Sequence, residues 1–208
     1  MSFADNVRAR MPEALDLPDA FAAVFDWAEA NGQTGRFTHT DAGEYLSIYP
    51  LEVMNEPGAS YVIFHAEGPP LAEPIPAEIT ARYLSIATAA SDGGKLGLWL
   101  NEAGVQQVVV FDHGWPYVLT SDPLVALQFL AMGYSEPAAL KDPTLTAAAA
   151  AAYDGWDEPI LPDGFRAFLK ERFGVTPPTT AAALGITIPN YDDMSDPMRQ
   201  WLDKHMPN

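Results

Sequence analysis

Hydrophobic and polar positions along this chain follow two periods, and the change from one to the other is sharp. From Leu17 onward, LPDAFAAVFDWAEANG carries Phe21, Val24, Phe25 and Ala28 at helical spacing, with Pro18 at its start and Asn31-Gly32 at its end. Proline in a first turn and Asn-Gly after a last one punctuate an amphipathic helix. Beyond Gly35 the period falls to two. Phe37 and His39, then Tyr45, Leu46, Ile48 and Tyr49, then residues 61–65 read as three strands, separated by the turn signals DAGE and NEPGAS. The connector EGPPLAEPIPAE reads as an extended surface loop, because each proline removes a donor and biases its predecessor away from helix.

A four-strand meander comes next, over 79–87, 96–100, 108–111 and 115–119, with turns at SDGG, NEAG and DHG. Ser121 and Asp122 before Pro123 open a helix that runs through Leu124, Leu127, Gln128, Leu130 and Ala131 to Gly133. Within the meander Trp99 faces away from Leu98 and Leu100. It is core if both sheet faces are covered, and a contact residue if one is open.

The flanks are less regular. Residues 2–15 read as a short helix, and LTAAAAAAYDG as an alanine helix without a large apolar face, a spacer or peripheral element. In LPDGFRAFLKERFG, the residues Phe165, Phe168, Leu169 and Arg172 are spaced for one buried face. YDDMSD is an acidic turn placed to cap a last helix carrying Trp201 and Leu202. The pattern predicts an α+β fold with a mainly antiparallel twisted sheet flanked by helices.

Charge adds the strongest bulk constraint. With 28 acidic and 11 basic residues among 208, the formal net charge is -17. Such a field repels phosphate backbones and speeds encounter with cations, which argues against direct nucleic-acid binding and favours a basic protein partner. The absence of cysteine excludes disulfides, thiolate metal sites and cysteine nucleophiles. No stretch reads as a membrane span or secretory signal, so a cytoplasmic protein is expected.

Catalytic chemistry is hard to find. SDGGKLG lacks the spacing of a phosphate loop, and His39, His65, His113 and His205 fall into no ligand spacing. Asp112 and His113 form an orienting acid and a base only if a nucleophile lies in reach, and none is indicated. YDDMSD lacks the central glycine and distal glutamate of a calcium loop.

Three segments share a pattern with a known group. The motif residues are Leu17, Pro18, Phe21, Asn31 and Gly32, then Asp92, Gly93, Gly94 and Trp99, then Phe129, Leu130, Gly133 and Tyr134. In this order they resemble the SUKH superfamily, the Smi/Knr-like group of bacterial immunity proteins and eukaryotic scaffold regulators. Gln33 stands where the family pattern has a second glycine. The resemblance implies a SUKH-like α+β domain over 17–174, an N-terminal extension over 1–16 and a C-terminal extension over 175–208 with a docking helix. It also implies no catalytic centre and a partner protein, in bacterial members often a nuclease or deaminase toxin neutralised by its antidote; from the residues themselves no metal or other cofactor is expected.

Candidate partner contacts are Asp92, Glu102, Asp112, Trp115 and Tyr117, because strand ends and turns on a rigid scaffold display side chains. Two alternatives stand beside the antidote: a housekeeping scaffold of the same fold, and a small-molecule binder or enzyme using a groove near His65 or His113.

Overall fold

The computed structural model describes residues 1–37, 43–67, 76–112 and 115–206, apart from the side chain of Asp112. His39, His113 and most of the proline-rich connector lie outside the described residues.

Among the described residues, seven strands form one antiparallel sheet in unbroken chain order: β1 (Thr34–Arg36), β2 (Glu44–Ser47), β3 (Ile63–His65), β4 (Tyr83–Thr88), β5 (Lys95–Leu100), β6 (Gln106–Asp112) and β7 (Trp115–Thr120). Around it stand α1 (Phe3–Ala9), α2 (Asp19–Ala30), α3 (Ala77–Thr80), α4 (Pro123–Leu130), α5 (Ala147–Asp154), α6 (Asp163–Phe173) and α7 (Pro197–His205). The fold class is α+β, with a meander longer than the four-strand block alone.

Two element boundaries and one buried face differ from the pattern. The strand expected over 79–87 begins only at Tyr83, because Pro76 opens the short helix α3 and Ile79 is buried from that helix. The first strand lies earlier than Phe37 and passes through Gly35, over which the Tyr45 ring lies closer than any Cβ would allow. On α6 the buried face is Phe165 and Leu169, whereas Arg172 is exposed beside Phe173. The alanine helix is capped by the Thr146 hydroxyl and presses Ala147, Ala150 and Ala151 inward.

One face of the sheet carries the larger core. Phe3 from α1 and Phe21 and Phe25 from α2 interlock with Phe64 of β3, with ring centroids 5.0–6.3 Å apart. The Asp122 carboxylate caps α4 by accepting from Leu124 N at 2.8 Å, and Ala126, Leu127, Phe129 and Leu130 pack into the same core.

The opposite face is covered by the chain's last described helix. Met198, Trp201 and Leu202 of α7 pack on Ile79, Tyr83, Trp99 and Val109, and the Trp99 and Trp201 rings lie 5.5 Å apart. Trp99 is therefore core, at 1% exposure. Burying one such ring contributes roughly 4–6 kcal/mol at 25 cal/mol per Å², before the entropy of ordering the helix. Among the described residues no helix is long and apolar enough to cross a membrane.

Candidate functional site

The proposed contact residues do not share one surface. Antiparallel hairpins alternate ends, so the β4–β5 turn with Asp92 and the Asp112–Trp115 pair lie at one end of the sheet. Glu102, in the β5–β6 turn, lies at the other, about 20 Å away along a six-residue strand. There the Glu102 carboxylate accepts from the Lys204 ammonium of α7 at 2.6 Å, which holds its pKa below the usual carboxylate range. Asp92 is exposed and accepts from Gly94 N at 3.2 Å. Tyr117 turns inward: its ring is 2% exposed and belongs to the larger core, because alternation along β7 sends it to the face that α4 covers. Among the described residues, two members reach a concave surface: Glu102 lines an opening of about 380 Å³ together with Trp99, Trp201 and Lys204, and Trp115 lines another, more apolar one.

That surface is a groove of about 350 Å³ between β7 and α7. Phe111, Trp115, Tyr191, Met194, Leu202 and Met206 supply an aromatic and thioether lining. Tyr191, Met194 and Met206 are 73%, 52% and 47% exposed, an unusual concentration of large apolar side chains in solvent. Tyr191 stands edge-on to Trp115 with centroids 6.1 Å apart.

Arg199 holds the groove together. Its Nε donates to Pro116 O at 3.0 Å, and its Nη1 donates to the carbonyls of Asn190, Tyr191 and Asp193 at 2.9, 3.0 and 2.7 Å. The guanidinium also lies 5.4 Å from the Trp115 ring, within cation–π range. Asp196 fixes the same corner: one carboxylate oxygen caps α7, and the other accepts from Val118 N on the outer edge of β7 at 3.0 Å. Two donors remain unused, Trp115 Nε1 and Arg199 Nη2, both buried and without a hydrogen-bond partner among the described residues. Acceptors from outside would satisfy them, and leaving such donors dry costs about 1–3 kcal/mol each. Exposed Asp203 lines the groove and exposed Asp192 adjoins it, so its rim is acidic.

A larger opening of about 550 Å³ lies between α2 and α6, where Trp27 stacks on Phe168 at 5.1 Å. Glu52 and Glu171 line it, and its unpaired group is the acceptor Gln33 Oε1. The Trp115 groove is the better contact site, because it joins exposed aromatic and thioether surface to unpaired donors on a rigid base.

His65 is 6% exposed, with Nε2 2.8 Å from Thr88 Oγ1 and its ring stacked on Phe37. Burial, helped by the charges of Lys95 and Arg10, pulls its pKa down to about 4, so the ring is neutral at pH 7. His113 lies outside the described residues.

Of the contacts expected from the sequence, Trp115 lines this groove, and Arg199, Tyr191 and Met194, which line it too, were not among them. A partial signal was present. Arg199 directly follows Met198 and precedes Leu202 by one helical turn, so it borders the apolar stripe of α7. No family model matches the chain, and neither the curated proteins nor the solved structures contain a match to it.

Proposed function

We propose that the chain is a non-enzymatic protein-binding module that seats a basic protein partner on the Trp115–Tyr191 groove. The observation that carries this reading is the groove itself: exposed Tyr191, Met194 and Met206 around two buried, unpaired donors, inside an acidic rim. Aromatic and Arg anchors in a desolvated pocket dominate protein interfaces. An apolar or stem-like side chain of the partner fits the thioether lining, and a backbone carbonyl fits Trp115 Nε1 and Arg199 Nη2. The net charge of -17 steers a cationic partner into this contact and raises its association rate.

The finer reading is an immunity-type antidote. It is supported by the motif resemblance to SUKH proteins together with the acidity, which suits capture of a basic nuclease. A housekeeping scaffold would use the same groove for an endogenous partner.

The test compares the native chain with Tyr191→Ala/Met194→Asp as bait in source lysate at low and high salt, followed by purified-pair binding. The expected result is one basic protein that the native chain retains, that high salt releases, and that the variant binds at least tenfold more weakly. Retention indifferent to the variant, or no retention at either salt, overturns the groove reading. Stoichiometric inhibition of the partner's nucleic-acid cleavage would mark an antidote, and an uninhibited partner would mark a scaffold.

A further inference from the structure

A second cluster lies where the end of β3 meets β4 and β5, and the groove does not use it. Its members are Arg10 at the end of α1, His65 on β3, Tyr83, Ser85 and Thr88 on β4, and Lys95 on β5.

The backbone brings them together. β3 pairs with β4 only through Ile63 and Phe64, and β4 shifts register against β5 between Ser85 and Ala87. These two irregularities free the carbonyls of His65 and Ser85. Arg10 fills the gap, donating from Nη2 to His65 O at 2.7 Å and from Nη1 to Ser85 O at 2.9 Å. Thr88 is the cross-strand partner of Lys95, which places their side chains side by side. Lys95 Nζ donates to Gly93 O at 3.1 Å, leaving two of its protons for other acceptors.

The cluster holds several polar atoms that have no partner among the described residues. Arg10 Nε, His65 Nδ1, Tyr83 Oη and Ser85 Oγ are all buried and unpaired among the described residues, and the residues Tyr83, Ser85 and His65 are 8%, 7% and 6% exposed. Burial pushes the Tyr83 hydroxyl's pKa up and the neighbouring Ser85 hydroxyl pulls it partly back, although the two fall outside good hydrogen-bond geometry. Among the described residues, no carboxylate forms an ion pair with Arg10 or Lys95. Two cations bonded to carbonyls but without a carboxylate partner among the described residues are unusual in a chain with 28 acidic residues. Buried charge without a partner is costly, and groups of this kind are normally paired or hydrogen-bonded.

We infer that Arg10, Lys95, Tyr83 and Ser85 form a binding site for a small oxyanion, the carboxylate or phosphate of a small molecule, with His65 and Thr88 as its neutral wall. Arg10 Nε and the Lys95 ammonium supply charge, and the two hydroxyls supply directional donors. Half-exposed Lys95 is the side from which the anion enters. The site is separate from the Trp115 groove and does not depend on the protein-binding reading.

The probes are sodium phosphate and sodium formate, each compared with sodium chloride at equal ionic strength and pH 7. Thermal unfolding and the His65 ring resonances are followed together. Saturable stabilisation is expected, with Tm rising about 3–6 °C at tenfold excess over Kd, and with His65 shifting along the same isotherm. Lys95→Met and Ser85→Ala should each weaken the response at least tenfold, whereas Lys204→Met, at the far end of the sheet, should retain it. Response to formate alone identifies a carboxylate site, and response to phosphate alone identifies a phosphoryl site. No response beyond chloride, or a response unchanged in Lys95→Met, overturns the inference.

Discussion

Asp196 performs two tasks with one carboxylate, and substitution can separate them. Its Oδ1 accepts from the amides of Met198 at 2.8 Å and Arg199 at 3.3 Å, capping α7. Its Oδ2 accepts from Val118 N at 3.0 Å, on the strand edge that no other strand covers. Asparagine caps helices about as well as aspartate. In Asp196→Asn, however, the amide nitrogen replaces one of the two oxygens, and whichever way it turns, one backbone N–H loses its acceptor. Leaving a part-buried amide unpaired costs about 1–3 kcal/mol. Asp196→Ala loses the cap as well, adding about 1 kcal/mol for a total of roughly 2–4 kcal/mol. In a domain of this size each kcal/mol moves Tm by about 2–4 °C, so the asparagine variant should melt roughly 2–12 °C lower. Urea unfolding gives the free energies, and hydrogen exchange at Val118 gives the local effect. Exchange there should quicken about 5- to 150-fold in Asp196→Ala. Native-like stability in both variants, with unchanged exchange at Val118, would refute this account of the edge.

Three further outcomes follow from the packing. Trp201→Ala should cost about 3–5 kcal/mol in urea unfolding and red-shift emission from Trp99; a loss under about 1 kcal/mol would show that α7 contributes little to the second face. Gly97→Ala should cost about 1–3 kcal/mol, because its Cβ would run into the Tyr83 ring and stand 2.9 Å from Leu84 O; unchanged stability would mean that both neighbours yield freely. His65 has a folded pKa of about 4 against an ordinary 6.5, so between those values the unfolded chain binds the extra proton. Stability should therefore fall as pH drops from about 6.5 towards 4, with a slope approaching about 1.4 kcal/mol per pH unit that His65→Gln removes. A native chain equally stable at pH 7 and pH 5 would contradict that reading.

Local signals carried most of the fold. The helix from Asp19 to Ala30 and the Asp122-Pro123 start of α4 announce themselves within a few residues, and the hairpin turns order the strands because the sheet never departs from chain order. The second face was not legible in the same way. Alternation left Trp99 with two fates, and its partner Trp201 lies more than a hundred residues away. Arg199 is the sharper case. A charged residue on a polar helix reads as a solvated face, and its burial is set by carbonyls at Pro116 and in the loop 190–193. Arg10 is similar, since the gap it fills exists only because β3 ends early and β4 shifts register.

The covering of the second face by α7 also has a meaning in time. Every strand that α7 shields leaves the ribosome before α7 does, and each can pair with its sequence neighbour as soon as it emerges. The meander and the phenylalanine core can thus form while Tyr83, Trp99 and Val109 still face water. A nascent chain paused after β7 presents an uncovered hydrophobic sheet face with an unguarded edge at Val118, the kind of surface that draws chaperones or other chains. Translation speed through the last stretch, from Asn190 to His205, then governs how long that face is open to the crowded cell.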